Sequence, residues 1–122
     1  MTYRSMHPQF DATFEYFPNV PQELRDGFWN YFAYGCEPGS FGMAVLCNDF
    51  INAACRAHPS LPAATFRDMA KWLLHHAPQG SWGNEEKVIA WCRKTDQERM
   101  DIMIEVGLRP GEFDILAGRA VQ

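Results

Sequence analysis

Asn48, Asp49, Asn52 and Arg56 are the residues of this chain whose types and spacing come closest to a chemical site. Asn48, Asn52 and Arg56 recur at i, i+4 and i+8 with Asp49 beside them, so on one continuous helix they form a polar strip. The strip interrupts a run over 40–57 that is otherwise apolar almost all round, with Phe41, Met43, Ala44, Val45, Leu46, Cys47, Phe50, Ile51, Ala53, Ala54 and Cys55. Polar groups on such a helix must find partners or reach water. Either they bond loop backbone, for instance around the turn at 80–84, and hold a bundle in register, or Asp49 and Arg56 grip a polar ligand.

The other reactive side chains are less organised. His75 and His76 are adjacent, so on a helix they point about 100° apart and do not share a ligand site; near a helix C-terminus they suit the dipole instead. Cys36, Cys47, Cys55 and Cys92 form no C-x-x-C and no zinc spacing with the histidines. No nucleophile elbow, zincin, phosphate-loop or dinucleotide fingerprint is present, so no catalytic residue, metal or cofactor is assigned. Among four tryptophans, Trp29 and Trp72 lie beside the apolar stripes of their helices and are expected to be partly exposed, where they would serve as interface anchors. Trp82 is expected to plug the core from a turn.

Charge narrows the partners. The net charge is −4, with no basic stripe, which argues against direct nucleic-acid binding. Residues 95–122 hold six acids against three arginines, −3 of that total. Asp96, Asp101, Glu105, Glu112 and Asp114 are therefore an acidic interaction face offered to a basic partner. The first ten residues lack the apolar stretch of a signal peptide, and no run reaches membrane-spanning length. The expectation is a soluble chain of the cytoplasm, with reduced thiols.

The elements that must position these residues read as helices. The pattern predicts an all-α fold, a single domain of five to six short helices packed around the apolar helix at 40–57. Residues 1–20 form either a short helix or an extended arm, because Phe10, Phe14 and Phe17 share one helical face while Thr13 to Tyr16 alternate like a strand. Their aromatics need burial against this domain or against a second copy, so a homodimer is one expectation.

The core at 21–94 begins with a helix after Pro21 that buries Leu24, Phe28, Tyr31 and Phe32 and stops at Gly35. A helix over 62–76 is expected to bury Phe66, Met69, Ala70, Leu73 and Leu74 and to turn Arg67, Asp68 and Lys71 to water. Asn84 caps the next helix, with Val88, Ile89 and Cys92 inward. Thr95 and Glu98 form a capping box for a helix that ends at Gly107. A short acidic helix from about 111 would use Phe113, Leu116 and Ala117.

The heptapeptides at 35–41 and 107–113 share G-x-x-P-G-x-F, one turn device used twice. The first continues as G-x-x-P-G-x-F-x-x-A-V-L-x-N-D through Asp49, and Trp82-Gly83-Asn84 follows later. Over residues 24–94 this resembles small proteins of bacteriophages and prophages, a group without an assigned activity. The resemblance implies a mobile-element origin. With small size, acidic surface and surplus aromatics, it leads to the expectation of an accessory protein that binds a host macromolecule without catalysis, such as an inhibitor of a defence or transcription component. A small enzyme or ligand-binding domain centred on the polar strip is the alternative.

Overall fold

A computed structural model describes residues 8–108, and these form seven helices with no strand among them, in agreement with the all-α expectation. They are α1 (Pro8–Ala12), α2 (Gln22–Tyr34), α3 (Ser40–Leu46), α4 (Phe50–Arg56), α5 (Ala63–His76), α6 (Glu85–Arg93) and α7 (Asp96–Glu105). The expected short helix near 111 lies outside the described residues, as do Glu112 and Asp114.

Local chemistry sets most of the boundaries. Gly35, at φ +66°, ends α2 in the left-handed conformation that a side chain resists. Asn84 Oδ1 accepts from the Lys87 amide at the start of α6. Thr95 and Glu98 cap each other's amides at the start of α7, both bonds 3.1 Å. At the end of α7, Leu108 donates to the Met103 carbonyl and Gly107 to Ile104, a Schellman stop that leaves Leu108 fully buried.

The helix at 40–57 is two helices, which corrects the expectation of one. Asn48 sits at φ +60°. Its amide bonds to the Val45 carbonyl at 3.1 Å and that of Asp49 to Ala44 at 2.9 Å, the same Schellman pattern with asparagine in place of glycine. Asp49 then caps α4, Oδ1 accepting from the Asn52 amide. Asparagine tolerates the left-handed region and aspartate is a preferred cap, so Asn48-Asp49 writes a stop and a start in consecutive residues.

Nor is this segment the centre of the fold. The core is built by α1, α2, α5, α6 and α7; α3 supplies Leu46, with Phe41, Met43 and Val45 packed against it, and Ala53, the buried residue of α4, lies outside the main cluster. Its centre is Trp72, which meets Phe10, Phe14, Phe28, Phe32 and His76. Phe14 stacks on it at 4.6 Å and 4°. Its indole N–H donates to Thr13 Oγ1 at 2.8 Å. Trp29 is equally buried, with Phe10 edge-on at 5.1 Å. The expected partial exposure of Trp29 and Trp72 is thus overturned: rings of this size gain most by full burial, and Trp72 finds a partner for its one polar atom.

The N-terminal segment resolves as α1 followed by turns, with Phe10, Phe14 and Phe17 all buried against this same chain. Trp82 is half-buried and packs against the core from its turn. Arg99, one of the three arginines of the acidic stretch at 95–122, is an inward charge. It is buried, bonds to Asp96, and donates to the carbonyls of Ala33, Trp91, Cys92 and Lys94. One guanidinium thereby ties the C-terminal ends of α2 and α6, where the helix dipoles favour a cation, to the first turn of α7.

Candidate functional site

The face that α5 presents to the core is rotated one residue from the expected one. Thr65, Asp68, Met69, Trp72 and Leu73 are buried, whereas Ala70 and Leu74 are exposed and Phe66 is half-buried. One residue is about 100° of helix. Two things drive the rotation. Trp72 carries more apolar area inward than Leu74 would. Asp68, expected in water, is accepted inside because both the backbone amide and the side-chain amide of Asn19 donate to its Oδ2 at 2.9 Å. Thr65 Oγ1 completes the clasp by donating to the Asn19 carbonyl.

The rotation leaves an apolar face of α5 outside the core, and the helix break supplies a second wall. Since α4 packs on α3 rather than on the centre, a groove of about 640 Å³ opens between α4 and α5. Phe50, Ala53 and Ala54 form one side, Phe66, Ala70 and Leu74 the other, with Trp82 and Val45 among the remaining lining residues. Its polar side chains are Asn48, Asp49 and Arg67, Trp82 apart. Phe50 is 70% exposed and Leu74 71%, large apolar groups that water would otherwise exclude. Ile51, on the outer side of α4, adds to the apolar surface.

The polar strip is divided by the break. Asn48 lines the groove, whereas Asn52 and Arg56 line a second recess of about 510 Å³ with Ser40, Cys47, Asn84 and Glu85; Asp49 borders both. The i, i+4, i+8 register assumed a continuous helix, and the left-handed Asn48 ends it. Asp49 is engaged in the cap, since Oδ2 also accepts from Asn52 Nδ2 at 2.5 Å. These bonds from Asn52, with a smaller contribution from Arg56, hold its carboxyl below the usual carboxylate range. A carboxylate so held is a weak proton acceptor near neutral pH. Burial, then Glu85 and Asp49, push the Cys47 thiol up, away from the nucleophilic thiolate. The turn at 80–84 is tied to this region through backbone: the Gly83 amide donates to the Leu46 carbonyl at 2.7 Å.

The remaining candidates fall elsewhere. Asp96, Asp101 and Glu105 are exposed on α7, but Asp96 turns to Arg99 and Asp101 accepts from Gln97 at 3.0 Å. His76 packs against Trp72 and Phe17, and burial lowers its pKa, with neighbouring His75 adding to the effect. Among the described residues no group of three His, Cys, Asp or Glu side chains could hold a metal ion. No helix there is long and apolar enough to cross a membrane.

Sequence reasoning passed over Phe50, Phe66, Ala70 and Leu74 as groove residues by assigning them all to the core. The available signal was the width of the apolar arc on α5. Trp72 and Leu74 together with Phe66, Met69, Ala70 and Leu73 exceed what one core-facing stripe can use. Comparison with protein-family models, curated proteins and solved structures gives no match.

Proposed function

We propose that this chain is a non-catalytic binding protein whose working surface is the groove between α4 and α5, and that the occupant is an apolar segment of a partner protein. The observation that carries the reading is the pair Phe50 and Leu74, each more than two-thirds exposed on opposite lips of one apolar groove. Its volume falls in the range of about 300–1,000 Å³ in which binding sites lie. Clustered exposed apolar surface of this kind marks interaction sites rather than ordinary surface. The resemblance of residues 24–94 to small phage and prophage proteins adds the expectation that the partner belongs to a host, as a defence or transcription component would.

Two exposed substitutions test the reading. Phe50→Asp and Leu74→Glu place charge in the groove without removing a core contact. Both variants should unfold like the parent, yet lose the fluorescence of an apolar dye that the parent binds in its native state, and lose any partner the parent retains on affinity capture. Retention of both by the folded variants would refute the groove as the working surface.

A further inference from the structure

The surface charges of the α4–α5 segment differ in sign from those of the chain as a whole. Between Phe50 and His76 the sequence holds Arg56, Arg67 and Lys71 and a single acid, Asp68. That acid is turned inward and occupied by Asn19. The formal surface charges of the α4–α5 segment are therefore all cationic, in a chain of net charge −4. Arg67 lines the groove itself, and Lys71 stands exposed one turn further along the same helix. Asp49, held ionised by its bonds from Asn52, is the acid on the α4 side of the groove, so the cationic rim is the α5 side, at Arg67 and Lys71.

The form of the occupant follows from the walls. With no strand among the described residues, there is no sheet edge for an added β-strand. What the surface offers is the flank of a fourteen-residue helix with apolar positions at Phe66, Ala70 and Leu74, spaced i, i+4, i+8. A second helix meets such a flank with its own apolar residues at i, i+3, i+4 and i+7.

We infer that the groove takes an amphipathic helix of a partner protein whose apolar stripe is flanked by Asp and Glu, with Arg67 and Lys71 receiving the acids. This rests on the groove being the working surface and adds the chemistry of what fills it. The acids set orientation and rate of encounter, while the apolar side chains, set among Phe50, Phe66 and Leu74, hold the complex. The same rim disfavours a basic helix, so the site discriminates by charge as well as by shape.

The experiment uses the full chain and three labelled peptides of about four helical turns. One has a leucine stripe flanked by Glu, one the same stripe flanked by Lys, and one the Glu composition with the stripe scrambled. Fluorescence anisotropy should show the acidic amphipathic peptide binding at least about ten-fold more tightly than either control. Its affinity should fall as salt rises from roughly 50 to 500 mM. Arg67→Glu/Lys71→Glu, both exposed, should weaken it about ten-fold and improve the Lys peptide. Leu74→Glu should abolish binding of both stripe-bearing peptides. Equal binding of the Glu and Lys peptides, both lost in Leu74→Glu, would overturn the charge inference and leave the groove reading standing. Binding of neither, or binding untouched by Leu74→Glu, would overturn both. A concentration-dependent dimer abolished by Leu74→Glu would make a second copy the occupant and also refute the inference.

Discussion

Replacing Arg99 with methionine removes the guanidinium and keeps an apolar stem of similar length, so it isolates the hydrogen bonds from the packing. Four carbonyls lose a charged donor: Ala33, whose bond to Nε is 3.3 Å, and Trp91, Cys92 and Lys94, which share Nη1. A hydrogen bond to a charged group contributes about 1.5–3 kcal/mol. The four do not add in full, because Cys92 and Lys94 are only half-buried and water can reach them. Asp96 is itself exposed and returns to solvent when its partner leaves. The Ala33 and Trp91 bonds, both buried, therefore dominate, and the expected loss is about 3–5 kcal/mol. That is a large fraction of the roughly 5–15 kcal/mol by which a domain is stable. In urea, where slopes are about 1–3 kcal/mol/M, the midpoint should fall by more than about 1 M at unchanged slope. Asp96→Ala should cost under about 1 kcal/mol as the exposed half of the pair. A loss below about 1 kcal/mol for Arg99→Met would refute the reasoning, since that is what an arginine lying on the surface would show.

Three further outcomes follow from the same geometry. Asn48→Gly should leave stability nearly unchanged, while Asn48→Val should cost about 1–2 kcal/mol by chemical denaturation, because a branched residue resists φ +60°. The Asp49 cap contributes stability that is present above its unfolded pKa and lost as pH falls through its folded value, below the ordinary carboxylate range. A stability profile in acid should therefore show a component that vanishes in Asp49→Asn. His76 shifts stability in the same direction but at higher pH: burial lowers its folded pKa, so stability falls as pH drops below its unfolded value of about 6.5 and levels off below the folded one. His76→Gln should flatten that region of the profile.

Helix termini were legible wherever a boundary is written in a few adjacent residues. Gly35, Asn84, the Thr95–Glu98 box and Gly107 each satisfy or release backbone groups within one turn, and neighbours in sequence suffice to show it. Asn48-Asp49 carried the same kind of local signal. It was overridden because the surrounding apolar run reads as one uninterrupted helix, and periodicity does not register a single left-handed residue. The polar strip was consequently assembled on a helix that does not exist, and only Asp49, Asn52 and Arg56 share a recess.

The sequence by itself determined the all-helical class, the caps, and the demand that far more apolar area exists than one stripe per helix can use. Each of these depends on contacts within a turn or on composition. Tertiary structure alone decided which apolar residues are core and which are surface. The direction in which α5 faces turns on Asn19 reaching Asp68 and Thr13 reaching Trp72, partners 49 and 59 residues away. With Trp72 drawn inward by those bonds and its ring neighbours, Leu74 and Ala70 had to face out. The groove is what remains on that side of α5, bounded by a helix that Asn48 and Asp49 turn aside.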